Sequence, residues 1–332
     1  MRKRLIASLL IFLLIGAGIS YLVMWVEEEP PSGKLPEDSS KVVEIPKGAG
    51  LRDIAALLKR EGVTQTPLFF IIKALWKGSR GRLKAGEYRF SSSMTLDEIL
   101  HRLESGKVIL HPLTIPEGFT VEEIARLLEE KGLSTREKFL ALTSKKEFLD
   151  RLGLEGKSLE GYLFPETYFF PKGASEETIV KKIVSTFDRV FTEGYKDRAK
   201  LIGLTPHQVL TLASVIEKEA KVDEERALIS AVYHNRLKRG MLLQSDPTVI
   251  YALKQFDGNL RKEDLAIDSP YNTYKYPGLP PGPIANPGRA SIEAALFPAP
   301  VDYLYFVSKN NGEHSFSTSL QEHNNAVKKY QR

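Results

Sequence analysis

Cysteine is absent from this 332-residue chain. That removes disulfides and most zinc sites at once. The absence suits an extracytoplasmic chain without disulfides and many cytoplasmic ones alike. The six histidines are scattered and form no H-E-x-x-H pair, which speaks against metal-assisted hydrolysis. No G-x-S-x-G elbow is present, so serine acyl transfer of that type is not indicated. The net charge of +5 is a mild excess. It suits attraction to an anionic membrane or wall polymer, but no Lys/Arg run with interleaved aromatics points to nucleic acid. Charge is also missing from Leu5 to Val26, directly after Arg2, Lys3 and Arg4. At about 1.5 Å per residue, that run reaches about 33 Å, close to the thickness of a hydrocarbon core. A retained membrane anchor is expected, with the N-terminus in the cytoplasm and the rest of the chain outside. A cleaved signal peptide is the competing reading. Its apolar core is normally shorter and ends in a small-x-small site, whereas Gly16-Ala17-Gly18 lies in mid-run.

Beyond the apolar run the composition shifts. Glu27 to Ser40 is rich in charge, proline and serine and reads as a linker. An internal repeat comes next. Ile45-Pro46-Lys47-Gly48 leads into Ile54, Ala55, Leu57, Leu58 and Gly62, and Ile115-Pro116-Glu117-Gly118 leads into Ile124, Ala125, Leu127, Leu128 and Gly132, at a constant offset of 70. Each copy predicts a short strand, a glycine turn, an amphipathic helix and a terminal glycine. Ala85 to Phe90 predicts a strand between the copies, and Thr95 starts a helix. Residues 41–110 therefore read as a small α+β module. Its strand-helix layout is similar to LysM, a glycan-binding wall module; a spacer without ligand is the alternative. Gly48-Ala49-Gly50 is no phosphate loop, since Asp53 stands where the last glycine is needed.

Helices dominate from Ser134 to Tyr195. Ser134 with Glu137, and Ser144 with Glu147, predict capping boxes. Ile179, Val180, Ile183, Val184, Phe187 and Phe191 form a helical stripe. Glu160 to Tyr168 (EGYLFPETY) is dense in aromatics and carboxylates. Aromatic faces stack on sugars and carboxylates accept sugar hydroxyls, although a packed strand with Pro165 at an edge fits as well.

The organising stretch is Thr205 to Tyr251. Thr205, Pro206 and Gln208 make a cap, a first-position proline and a capping box. Val209, Leu212, Ala213, Ile216 and Ala220 recur at helical spacing. Glu217 and Glu219 stand on opposite margins of that stripe. A carboxylate there is costly to keep charged and is suited to carrying a proton at neutral pH. Periodicity does not choose between them, and either serves equally as an ordinary surface glutamate. Lys221 to Arg239 predicts a second helix, closed by Gly240. Gln244 to Thr248 reads as a polar turn. Tyr271-Asn272-Thr273-Tyr274 precedes Gly278-Leu-Pro-Pro-Gly-Pro-Ile-Ala-Asn-Pro-Gly288, a segment held in one shape by its backbone. The tail predicts a hairpin, with strands Tyr303 to Ser308 and His314 to Ser317, then a helix capped by Ser319 with Glu322. What remains chemically is carboxylate work in a Tyr/Asn/Thr-rich cleft, which points to glycosidic bonds.

These motifs, taken together with Asn235-Arg236-Leu237 and Leu243 to Tyr251, resemble the YceG-like (MltG) family, the membrane-anchored endolytic murein transglycosylases. They occur in family order over roughly residues 40–330. The resemblance implies a transmembrane helix (residues 1–26 with its cytoplasmic tip), a linker (27–40), a LysM-like α+β module (41–110) and a larger mixed α+β catalytic domain (111–332). It implies that Glu217 is the catalytic residue. It also implies cleavage of the MurNAc–GlcNAc bond within nascent peptidoglycan, the muramyl C6 hydroxyl attacking C1 to leave a 1,6-anhydro end. Glu166, Gln244, Asp246, Tyr271, Asn272 and Thr273 are candidates for the groove. No metal or cofactor is implied. The expected partners are glycan strands and the synthases of the elongation machinery, at the inner membrane. A hydrolytic muramidase and a non-enzymatic wall-binding scaffold are the alternatives.

Overall fold

A computed structural model describes residues 39–331, apart from 92 and 254. The apolar run Leu5–Val26 and most of the linker lie outside the described residues. Among the described residues, no helix is long and apolar enough to cross a membrane. The fold is mixed α+β, with three two-stranded sheets and thirteen α-helices among the described residues. These residues divide into two compact units.

The first unit runs through His111 and includes Phe169–Gly173. Strand β1 (Ser40–Ile45) pairs antiparallel with β2 (Gly86–Ser91), in register from Ser40 with Ser91 to Ile45 with Gly86. Between them lie α1 (Leu51–Arg60) and α2 (Pro67–Trp76), and α3 (Leu96–Ser105) follows. Thr95 caps α3 by accepting the Glu98 N–H, and Gly106 ends it in the left-handed conformation. Ile54, Leu58, Phe70, Tyr88, Phe90, Ile99 and Leu103 bury one common core.

The second unit comprises Pro112–Tyr168 and the chain from Ala174 onward. Strand β3 (Leu110–Thr114) precedes α4 (Val121–Glu130), completing the second copy of the repeat. Helices α5 (Arg136–Thr143) and α6 (Lys146–Leu152) follow, and then β4 (Thr167–Pro171), of which Thr167 and Tyr168 belong to this unit. The two expected capping boxes are displaced. Thr135 caps α5 by accepting the Lys138 N–H, while the Ser134 hydroxyl donates to Glu176 at 2.9 Å. Ser144 donates to the Leu140 carbonyl at 2.9 Å and is thereby tied to the preceding helix, leaving Lys145 at the start of α6. The Glu160–Tyr168 segment is largely core. Tyr162, Leu163, Phe164 and Tyr168 are buried, so its aromatic rings pack inward and are not offered to a ligand.

Helices α7 (Glu176–Val190) and α8 (Glu193–Leu201) lead to α9 (Pro206–Glu219). Its capping box forms as expected: Thr205 accepts the Gln208 N–H at 3.2 Å, and Gln208 accepts the Thr205 N–H at 2.8 Å. The stripe is wider than its spacing suggests. Every residue from Val209 to Ile216 is buried, because α9 packs on several elements at once. Its side chains share a core with Phe187, Ile229, Tyr233, Ile284, Ile292 and Leu296. The helix expected from Lys221 is shorter. A 3-10 turn at Asp223–Glu225 precedes α10 (Arg226–Lys238), which puts Arg226 at a helix start. The last three residues of the expected polar turn, Asp246 to Thr248, are helical, as the start of α11 (Asp246–Ala252). Helix α12 (Arg289–Leu296) packs along α9. Strands β5 (Tyr305–Ser308) and β6 (His314–Ser317) form the tail hairpin, β5 starting two residues later than expected. The Ser319–Glu322 capping box opens α13 (Leu320–Tyr330).

Candidate active site at the end of the central helix

Glu217 sits in the last turn of α9, where the helix emerges from its all-round packing. Its side chain is 7% exposed. Oε2 accepts the backbone N–H of Gly288 at 3.1 Å. Gly288 is the cap of α12, so the carboxylate faces the positive end of a helix. The same oxygen lies 3.4 Å from Nη1 of Arg226, itself 11% exposed. Arg226 is held by Ser291, whose hydroxyl accepts from Nη1 at 2.6 Å, and by Asp223, which accepts from Nε at 3.1 Å. The margin of the stripe is therefore polar and ionic on its outer side, a feature that helical spacing cannot report.

Glu117 closes the other side. An ideal Cβ on Gly288 would collide with Glu117 Oε1, so the carboxyl occupies space left free by the missing side chain. Partial burial, and then the negative charge of Glu217, push the Glu117 carboxyl above its ordinary value, with Arg226 pulling the other way. Lys218 Nζ donates to the Gly118 carbonyl at 3.3 Å.

This arrangement is fixed from behind by Asn286. Its backbone carbonyl accepts the Gly118 N–H at 2.9 Å, and its own N–H donates to the Phe119 carbonyl at 2.8 Å. Its side-chain oxygen accepts the Leu163 N–H at 2.8 Å, and Nδ2 donates to the Phe119 carbonyl and to Glu160. Ser214, on α9, accepts the Ile284 N–H at 2.9 Å. The Pro/Gly-rich segment is thus a braced strap that delivers Gly288 to Glu217. Glu160 is buried among these groups, and burial pushes its carboxyl up to about 8, against the Val121 N–H, Tyr251 and Asn286, which favour the ion.

Glu219, the rival on the same helix, faces inward. It accepts from the Tyr233 hydroxyl at 2.9 Å and the Ser245 hydroxyl at 2.6 Å, and burial pushes its pKa up. Ser245 links it to the remaining candidates. Its N–H donates to Thr273 Oγ1 at 3.0 Å, and the Gln244 N–H donates to the Thr273 carbonyl at 3.1 Å. Asp246 accepts from the Tyr274 hydroxyl at 2.6 Å. Tyr271 is half-buried, its ring 5.0 Å from that of Tyr251. Asn272 is buried, with Nδ2 donating to Leu265 and Ile267 carbonyls and Oδ1 accepting the Tyr274 N–H. Gln244 and Asp246 are exposed. Gln244, Asp246 and Tyr271–Thr273 therefore form one cluster joined to α9 through Glu219. Glu166 stands apart from that cluster, exposed, its carbonyl accepting the Ile115 N–H ahead of the Glu117 turn. Among the described residues, the polar contacts of Glu217 are to Gly288 and Arg226 and not to these six. Neither spacing nor residue type marks Arg226, Ser291 and Asn286 in the sequence as parts of the site. Among the described residues, no group of three or more His, Asp or Glu side chains is placed to hold a metal ion.

The YceG-like family model matches residues 43–329. A Bacillus subtilis (strain 168) protein named endolytic murein transglycosylase is 38% identical over 304 residues, covering 87% of this chain and 84% of the relative. A protein of the same name from Streptococcus pneumoniae serotype 2 is 32% identical over 362 residues, covering 98% of this chain and 65% of the relative. The 2.6 Å crystal structure of a yceG-like protein from Listeria monocytogenes superposes with a TM-score of 0.60 at 37% identity, over 86% of this chain and 98% of that one. With the matched region spanning the repeat, the central helix and the strap, the chain belongs to the YceG-like family.

Proposed function

We propose that this chain is an endolytic lytic transglycosylase of peptidoglycan, with Glu217 as its acid–base residue. The name shared by its relatives supports the activity. One observation supports the residue: the shielded Glu217 carboxyl is held in place by Gly288 and Arg226.

The chemistry needs one proton-carrying carboxyl. Glu217 gives a proton to the glycosidic oxygen as the bond from C1 of MurNAc breaks. The C6 hydroxyl of the same sugar then attacks C1, and its proton returns to Glu217. Atoms balance without water, and the product carries a 1,6-anhydro ring. The nucleophile is already positioned in the substrate, so no water-activating base is needed. The carboxylate left on Glu217 after it gives up the proton stabilises the positive charge that develops at C1. Glu166, Gln244, Asp246 and Tyr271 present side chains to the glycan, while Asn272 and Thr273 shape the loop that carries Gln244.

The charge-free run Leu5–Val26 serves as a single-pass anchor in the inner membrane, N-terminus inside, linked by residues 27–40. Residues 41–110 act as a LysM-like module and residues 111–332 as the catalytic domain. Anchoring confines cleavage to new glycan near the membrane, beside the synthases that make it.

The presence of a second carboxyl, Glu117, at the same site is the observation that favours hydrolysis as the alternative, since hydrolytic glycosidases work with carboxyl pairs. Mass spectrometry of the ends produced from purified glycan strands separates the two. Lytic cleavage gives anhydro ends lighter by one water, and reducing ends alone would overturn the lytic reading.

A further inference from the structure

The geometry points to Glu117 as a second carboxyl of the catalytic centre, a positioning residue that acts on Glu217 through the charge it places over Gly288. This rests on Glu217 being the acid–base residue.

Three observations carry it. First, the turn that holds Glu117 does not require a carboxylate. The first repeat copy makes the same turn with Lys47 in that place, and Gly48 and Gly118 have φ of 81° and 74°. Lys47 donates to the Gly173 carbonyl, a contact unrelated to the turn itself. Second, Glu117 lies where the Gly288 side chain would be, with Oε1, Cδ and Oε2 all within 2.6 Å of an ideal Cβ. Gly288 is also the residue whose N–H binds Glu217. Its φ of −74° is open to any amino acid, so what glycine supplies there is room. Third, Glu117 is exposed as a residue while its carboxyl is tucked over Gly288. It therefore borders both Glu217 and solvent, where a glycan would arrive.

The charges around Glu117 come from several elements. Glu217 and Lys218 belong to α9, Asp223 to the 3-10 turn, Arg226 to the start of α10, and Arg289 to α12, exposed and next to Gly288. Burial and the charge of Glu217 push the Glu117 carboxyl up, and Arg226 opposes them. While ionised, Glu117 places a negative charge beside the proton that Glu217 delivers to the glycosidic oxygen, and the C6 hydroxyl proton restores that proton afterwards.

The test compares the full chain with Glu117→Gln in cleavage of purified glycan strands from about pH 4 to about pH 9. Removing the negative charge of Glu117 lets the catalytic acid lose its proton at lower pH. The alkaline limb of the kcat profile is expected to move down by about half a unit or more, with KM little changed. A limb that stays in place, or a change confined to KM, overturns the proposal. A second measurement follows the Glu117 carboxyl by NMR titration in glutamate-labelled wild type and in Glu217→Gln. A Glu117 midpoint that falls in the variant supports the coupling, and an unmoved midpoint refutes it. If the wild type cleaves nothing at any pH, the lytic reading fails, and the NMR titration still decides whether the coupling exists.

Discussion

The carboxylate of Glu217 accepts the backbone N–H of Gly288 at 3.1 Å, across 71 residues of sequence. This bond joins the end of one helix to the start of another, and the absence of a side chain at Gly288 leaves room beside it for the Glu117 carboxyl. Replacing Gly288 with Ala would drive a methyl group into the Glu117 carboxyl. The backbone conformation tolerates alanine, so the protein should fold. The Glu117 carboxyl must then move off Gly288, and a shift of about 1 Å in the catalytic centre should cost about 10²-fold in kcat. Parallel melting curves and cleavage rates check this, and full activity in Gly288→Ala would show that the site does not depend on that fit.

Glu219→Gln separates the two glutamates of α9. A glutamine oxygen can still accept from both Tyr233 and Ser245, which meet the same Oε1. The variant is expected to keep its cleavage rate within about threefold, under about 1 kcal/mol in barrier. Loss of activity in a folded Glu219→Gln protein would transfer the acid–base role to the inner carboxyl.

Gln244 holds a left-handed backbone, with φ of 52°, a strained conformation for any residue but glycine. Gln244→Gly should hold or raise stability by up to about 1 kcal/mol, because glycine relieves that strain. If the amide contacts the glycan, KM rises while the melting temperature does not fall. An unchanged KM removes Gln244 from the binding groove.

Glu160 predicts a pH dependence of stability. Its folded-state value of about 8 lies above the unfolded one. The folded state thus binds more protons between the two values, and stability falls as pH rises from about 4 to about 8. The contribution is on the order of a few kcal/mol across that window. Hydrogen exchange at the Val121 amide, which donates to Glu160, should lose protection over this range in the wild type relative to Glu160→Gln. Equal slopes in the two proteins would contradict it.

Local signals are readable where they act locally. The Thr205–Gln208 box, the glycine that ends each repeat and the charge-poor stripe of α9 all act within a turn or two, and the helices form where those residues place them. Ser134 and Ser144 mislead because a hydroxyl one residue from the true start has other partners to choose from, Glu176 and Leu140. The site itself is half legible. Helical spacing puts Glu217 and Glu219 on two margins but carries no information about what lies beyond them. Arg226 reaches Glu217 from a helix that starts later than its spacing predicts, and Asn286 ties three distant segments together through its side chain and backbone. Such contacts are set by tertiary packing, to which periodicity is blind. The choice of Glu217 comes from the order of long motifs, and the role of Glu117 is hidden in a repeat that reads first as a fold element.

The central claim is that Glu217 supplies the proton for a water-free cleavage. The most direct measurement digests purified glycan strands with the full wild-type chain and with Glu217→Gln, and identifies the product ends by mass. The wild type should leave 1,6-anhydro ends, and the folded variant should be slower by about 10²–10⁴-fold. Anhydro ends formed at the wild-type rate by Glu217→Gln, or reducing ends alone from the wild type, would contradict it.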